Sequence, residues 1–587
     1  MIETLAANFA PVMFAGLIAF LLYGFPVAFS LAACGLLFGF VGVELGLLPA
    51  ALMQALPLRV FGILSNDTLL AIPFFTLMGL ILERSGLAED LLETVGQLFG
   101  PVRGGFAYAV IVVGAILACS TGVVAADVIA MGLVSLPLML RYGYDRRVAS
   151  GIIAASGTLA QIIPPSLVLI VIADQMGKSV GDMYAGAFIP GFGLAALYAL
   201  FILGVSIFKP QWMPAMPKEA RTFVEPDGSS GATSLLVLTG VSVLTGFGVV
   251  HQWVPDGTPR DSMAVIGLAA GLATAFSLAV IDKVAGTGAL SAIARRVVFA
   301  AVPPLGLIVA VLGTVFLGVA TPTEGGAFGC VGAMAMAAAR GRLNVNLMKQ
   351  AAEGTAKLSS FVMFILIGAT VFSLVFQGID GPKWVEHMMS GLPGGATGFV
   401  IASMLIVFAL SFFLDFFEVA FIVVPLLAPV AQSMGIDLVW FGVLIAMNLQ
   451  MSFMHPPFGF ALFYLRSVAP AEPYSDKVTG KTIEPVTTAQ ICWGAVPFIF
   501  IQMTMCALII AFPQLVTYAI EKPVAVMTQG EVNKALDSVG RAEDDVWGES
   551  GPAPETAKDN AVQVPAEPSA SREEERVVVV DIAPKPQ

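Results

Sequence analysis

SGTLAQIIPPSLVLI (156–170) and NLQMSFMHPPFGFAL (448–462) lie 292 residues apart with their Pro-Pro pairs, Pro164–Pro165 and Pro456–Pro457, in register. The same offset matches Pro101 to Pro393 and Pro137 to Pro429, so every proline between Gly86 and Pro165 has a counterpart. Gly86 and Gly378, Gly143 and Gly435, and Asp145 and Asp437 keep that spacing too. Proline lacks the backbone N–H and clashes with the preceding turn, so two together inside an apolar run free carbonyls and expose helix ends. In lipid such backbone must be buried or face a ligand. A duplicated apolar half, broken at matching places, is how secondary transporters are built.

Composition agrees. The chain is 57% hydrophobic and 12% charged, against about 25% charged in soluble proteins, and its mean hydropathy is +0.88. Apolar stretches of about 20 residues, the length a bilayer-spanning helix needs, recur along most of it. The fold class is an all-α polytopic membrane protein. From Glu521 to Gln587 there are 14 acidic and 7 basic residues, so this tail carries −7 of the formal −12. Rich in Pro, Glu, Ala and Ser, it reads as disordered. Basic residues occur singly or in short clusters at helix ends, which excludes a nucleic-acid surface. Cys34, Cys119, Cys330, Cys492 and Cys506 show no paired spacing.

Spans are expected near 9–43 (two, broken at Gly24–Pro26), 66–83, 146–176, 183–208, 231–250 and 263–281. Others are expected near 298–319, 322–340, 357–378, 438–465 and 490–512. Phe106–Leu140 and Gly398–Val430 are long for one crossing and carry CSTG (119–122) and FLDFFE (413–418) near their middles. One kinked helix would accommodate either; a re-entrant hairpin fits the central polarity better. The loop after the first, RYGYDRR (141–147), holds three arginines, whereas the loop after the second, SMGIDLV from Ser433, holds no basic residue. The positive-inside rule puts the first in the cytoplasm and the second outside, which makes the repeat inverted. Residues 209–290 read as an insertion of two further spans between the halves, an even number that preserves the inversion.

Asp415 and Glu418 are the sharpest side chains. A carboxylate central in a membrane segment costs about 2.5–3.5 kcal/mol on insertion scales, so the pair reads either as a cation or proton site or as a hairpin tip that reaches water. Freed carbonyls around Pro164 and Pro456 suit Na⁺, a hard cation, while half-helix N-termini suit an anionic substrate. Ser120, Thr121 and Ser166 offer hydroxyls beside them. His455, next to Pro456, reads as a packing residue or a group able to titrate near neutrality. Asp127, six residues after Thr121, caps or lines the first hairpin. Thr321-Pro322-Thr323-Glu324 has the form of a helix start. The absence of GxxxxGK[ST], HExxH and GxSxG motifs leaves ATP-driven pumping and hydrolysis unsupported.

ASGTLAQIIPPSLVLIVIADQ (155–175), the TPTE box (321–324), LDFFEVAFIVVPLLAPVA (414–431) and NLQMSFMHPPFGFALFYLRSVAP (448–470) resemble the DctM-type large membrane subunit of tripartite ATP-independent periplasmic (TRAP) transporters, in the branch labelled mannitol/chloroaromatic. The resemblance covers roughly 10–208 and 298–512. It implies an inverted-repeat ion-transporter fold with two re-entrant hairpins and an elevator-like transport domain in a bacterial inner membrane. It also implies Na⁺-coupled uptake of an organic acid, with no cofactor beyond the coupling ion. The implied partners are a small DctQ-type membrane subunit and a periplasmic DctP-type binding protein. Carried onto this chain, it sets Ser120, Thr121 and Gly122 against Pro164, Pro165 and Ser166, and the region of Asp415 and Glu418 against His455, Pro456 and Pro457. Na⁺ is then expected near Ser120, Thr121, Pro164, Asp415 and Pro456. His455 stands where the family more often has threonine.

The implied parts are scaffold helices and arm (1–83), a first transport repeat with the inner hairpin (84–182) and a scaffold helix (183–208). The insertion (209–290), second-half scaffold helices (291–378) and a second transport repeat with the outer hairpin (379–467) follow. A loop and last helix (468–513) and the acidic tail (514–587) complete the chain. Two alternatives stay open on sequence: a stand-alone Na⁺/carboxylate symporter, and a membrane-embedded enzyme using Asp415, Glu418 and His455.

Overall fold

The computed structural model describes residues 8–520 apart from 222–230, 256, 413, 457, 458 and 477. Pro457 and the tail from Glu521 lie outside the described residues. Among the described residues the chain is predominantly helical, with one two-stranded antiparallel pair, Tyr474–Ser475 with Thr482–Ile483. Among the described residues eight helices are individually long and apolar enough to cross a bilayer. This is a multi-pass α-helical membrane protein.

Local chemistry sets the helix ends. Pro26, fixed near φ −55°, starts Val27–Glu44 after the break at Gly24. Thr321 and Glu324 form a reciprocal capping box, with Pro322 in the first turn, opening Pro322–Ala339 as the TPTE box predicts. Asp145 and Asp437, 292 residues apart, do the same job twice. Asp145 accepts from the N–H of Val148 (3.3 Å) and Asp437 from that of Trp440 (2.7 Å). Gly143 and Gly435 before them both hold positive φ, 84° and 72°. Gly86 and Gly378 do not correspond in conformation: Gly86 has φ 71°, but Gly378 ends a helix and the left-handed residue there is Asp380.

The inner hairpin is Gly105–Thr121 followed at once by Val124–Arg141, and the two arms pack on each other. Its counterpart is Gly395–Leu410, then Phe416–Ile422 and Val424–Ser433, whose combined limits sit 292 residues after those of Val124–Arg141. The outer arm bends 48° at Val423 where the inner one is continuous. Pro425 supplies the cause, because it cannot donate to the carbonyl of Phe421. The broken helices are Arg146–Thr158 with Leu167–Met176, and Leu438–Ser452 with Phe460–Val468. They run antiparallel: Gly442, early in the second, lies against Ile172 and Met176, late in the first. At the middle, Gln450 Nε2 donates to the carbonyl of Thr158 at 2.8 Å. Residues 158 and 450 are repeat counterparts, and contact between counterparts on antiparallel helices is what an inverted repeat places at its axis.

Two amphipathic helices, Leu87–Phe99 and Gly381–Ser390, precede the hairpins; they are too polar to read as spans. Asp90 and Glu93 on the first pair with Arg340 and Arg296. The insertion forms Ala232–Trp253 and Arg260–Ala285, packed on each other and on Ala292–Phe316 around a small core of Leu238, Ala279 and Val298. Its helices cross through small residues, Ser242 and Gly246 against Gly267 and Gly271, the spacing that lets membrane helices approach closely. Within the stretch expected as tail, Gln514–Ile520 is a short helix packed on Val180–Phe208, with Val516 buried and Tyr518 under the Arg260 guanidinium.

A Cβ at Gly246 would meet the Gly267 carbonyl at 2.4 Å. Gly246→Leu is therefore expected to destabilise the insertion by about 1–3 kcal/mol, read as a lower unfolding temperature of the purified protein, whereas leucine at lipid-side Gly240 leaves it unchanged. Outside the membrane, Asp476 accepts from the Thr479 hydroxyl and N–H and from Arg141 (2.8 Å), which holds its carboxyl down at about 2. Folding thus favours the ionised form. The contribution is present above the ordinary aspartate value of about 3.9 and is lost as pH falls through about 2. Wild type is expected to unfold at a higher temperature than Asp476→Asn at pH 7, with the gap closing as pH drops below about 4.

Candidate functional site

The proline pairs decide the local backbone. Pro164 and Pro165 cannot donate to the carbonyls of Ala160 and Gln161, nor Pro456 and Pro457 to those of Ser452 and Phe453. Two of these four carbonyls find other partners: the Ser166 hydroxyl donates to Gln161 O at 2.5 Å, and Ala461 N–H donates to Phe453 O at 3.1 Å. Ser166 also caps Leu167–Met176 by accepting from Leu169 N–H. The Ala160 and Ser452 carbonyls, again repeat counterparts, are the ones left without their helical donors.

Each hairpin tip sits at a break. Gly122, at φ 61°, ends the first inner arm; a Cβ there would touch Leu167 and approach the Pro165 carbonyl at 3.7 Å. Pro164, Pro165 and Ser166 are buried beneath it. Ser120 donates to Leu117 O at 2.8 Å, and Thr121 donates to Asp127 Oδ1 at 2.8 Å, with Leu117 O at 3.1 Å. Asp127 is 1% exposed, and its second oxygen is buried with no partner among the described residues. It lines the inner hairpin from within and does not cap it.

Asp415 and Glu418 resolve into a capping box: Asp415 Oδ1 accepts from Glu418 N–H and Glu418 Oε2 from Asp415 N–H, both at 2.9 Å. The tip therefore keeps two carboxylates in an apolar stretch by using them to satisfy the start of the outer hairpin's second arm. His455 is 3% exposed, stacked on Phe412 with centroids 3.8 Å apart and 3.4 Å from the Ser411 hydroxyl. It fastens the outer tip to its break as a packing residue, and Pro456 follows half-buried.

The tips and breaks of both repeats converge on one cavity of about 320 Å³. Gly122–Ala125 and Asp415–Glu418 line it from the tips, Gln161, Leu167, Phe453 and Phe460 from the breaks, and Leu358 and Phe361 from Val345–Gly378. Of the residues singled out on sequence, Gly122, Asp415 and Glu418 reach its wall. Ser120, Thr121, Pro164, Pro165, Ser166, His455 and Pro456 are not among its lining residues. Sequence reading missed Gln161, Tyr464 and the phenylalanines; the available signal was an amide in the last turn before a Pro-Pro break. Among the described residues no three His, Cys, Asp or Glu cluster as a metal site.

A cavity walled by paired hairpin tips and helix breaks inside an apolar bundle is the arrangement in which membrane transporters hold their cargo. The sequence matches the family described as "Tripartite ATP-independent periplasmic transporter, DctM component" over residues 14–515, and the chain belongs to that family. It is 24% identical to the C4-dicarboxylate TRAP transporter large permease protein of Pseudomonas aeruginosa over 76% of this chain and 86% of that one. With the corresponding Rhodobacter capsulatus protein the identity is 25% over 77% and 89%. The ectoine TRAP transporter large permease protein of Halomonas elongata is 23% identical over 86% and 98%. The chain is a multi-pass inner-membrane transporter component.

Replacing Asp415 by alanine removes the cap and is expected to cost about 1 kcal/mol of stability, whereas Asp415→Asn keeps an N-cap acceptor. Thermal unfolding should rank wild type near Asp415→Asn and above Asp415→Ala.

Proposed function

We propose that this chain is the permease subunit of a Na⁺-coupled TRAP transporter, importing an organic acid delivered by a periplasmic binding protein and working with a small membrane subunit. The shared cavity carries the proposal: both tips and both breaks contribute to one compartment at the repeat interface, where such transporters bind cargo. Asp127 Oδ2, the Thr121 hydroxyl and the Ala160 carbonyl supply oxygen of the kind Na⁺ takes at the inner tip, and Asp415 and the Ser452 carbonyl supply it at the outer one. An ion held there offsets the charge of a bound acid and of the buried carboxylates, so that ion and substrate cross together. Alternating access follows if hairpins and broken helices move as one body against the long helices around them. The names of the relatives support the tripartite assembly and an organic solute as cargo.

Uptake into proteoliposomes containing all three components is expected to require Na⁺ and to stop when K⁺ replaces it. Asp415→Asn should insert and assemble normally yet lower uptake several-fold at limiting Na⁺. Equal uptake by mutant and wild type there would reduce Asp415 to its capping role.

A further inference from the structure

Resting on that transport reading, the cavity narrows the cargo. Gln161 sits 1% exposed on its wall, and both its amide nitrogen and its amide oxygen are buried with no partner among the described residues. A buried amide left with neither a donor nor an acceptor is costly, and its repeat counterpart at the cavity is Phe453, so the backbone there does not need it. Beside it, Val124 and Ala125 bring the N-terminus of an 18-residue helix to the wall, where N–H groups favour an anion. Phe361, Phe416, Phe417, Phe453 and Phe460 also line the cavity. Among the described residues no lysine, arginine or histidine lines the cavity, and the carboxylates of Asp415 and Glu418 stand at the outer tip. A second carboxylate on the cargo would meet rings and like charge.

We propose that Gln161 is a specificity-determining residue and that the cargo is a 2-hydroxy monocarboxylic acid with an apolar body. Its hydroxyl donates to the Gln161 amide oxygen while its carboxylate accepts from the Gln161 amide N–H and from the helix N-terminus at Val124–Ala125. The hydrocarbon part lies against the phenylalanines. At about 320 Å³ the cavity is near the small end of ligand pockets, roughly 300–1,000 Å³, which suits an acid of modest size.

Equilibrium binding to the full-length chain in lipid nanodiscs, with Na⁺ present, tests this using 2-hydroxy-4-methylpentanoate, 4-methylpentanoate and succinate. The hydroxy acid is expected to bind about tenfold or more tighter than its deoxy analogue, with succinate weakest. Gln161→Leu should weaken both monocarboxylates, the hydroxy acid more because it loses two bonds to the amide and 4-methylpentanoate one, and so bring the two to within about threefold of each other. Equal wild-type affinities for the two, or tighter binding of succinate, would overturn the proposal even if Gln161→Leu does not fold. So would a preference that survives Gln161→Leu. Na⁺-dependent uptake without hydroxyl preference would sink this assignment alone, whereas hydroxyl preference without Na⁺ dependence would sink the coupling and leave Gln161 in place.

Discussion

The loss of four backbone donors inside the membrane is the constraint on which the rest depends. Pro164, Pro165, Pro456 and Pro457 leave carbonyls that lipid cannot satisfy. The chain answers with helix breaks, a hydroxyl cap at Ser166, a rerouted bond at Phe453, and hairpin tips laid over both breaks. Each hairpin tip lies at a break, and the cavity between them is lined mostly by apolar side chains, with Gln161, Asp415, Glu418 and Tyr464 placed among them. The pairing of Thr158 with Gln450 fixes how the breaks meet. In an inverted repeat counterpart residues touch at the two-fold axis, and residues of both halves line the cavity.

Symmetry supplies the compartment; departures from it supply chemistry. The positions of Val123 and Ala126 at the inner tip are Asp415 and Glu418 at the outer one, and Gln161 at one break is Phe453 at the other. The wall therefore combines an amide with aromatic rings, while two carboxylates stay where a capping box holds them. The insertion stands apart from this, joined through small-residue crossings to Ala292–Phe316.

Much of this was legible in sequence, for identifiable reasons. Spans of unbroken apolar residues announce themselves because lipid demands length, and the matched prolines and the Arg-rich loop 141–147 gave the duplication and its inversion. Leu87–Phe99 and Gly381–Ser390 escaped because amphipathic helices lack span-like hydropathy. The bend at Val423 escaped because a proline in the first turn of a helix usually continues it. The Asp415–Glu418 box was visible as an i, i+3 spacing but read as chemistry before capping. Gln161 could not be valued without coordinates, since its meaning lies in having no partner.

The central claim is that the two repeats are inverted about the cavity, and sidedness tests it most directly. Arg147 and Ser433 are exposed residues at the loops that follow the two hairpins. In a background lacking the five native cysteines, single-cysteine variants at these positions can be treated with a membrane-impermeant maleimide in intact cells with a permeable outer membrane. Inversion predicts that Ser433→Cys is labelled at once and Arg147→Cys only after the inner membrane is opened. Labelling of both from the same side would contradict it.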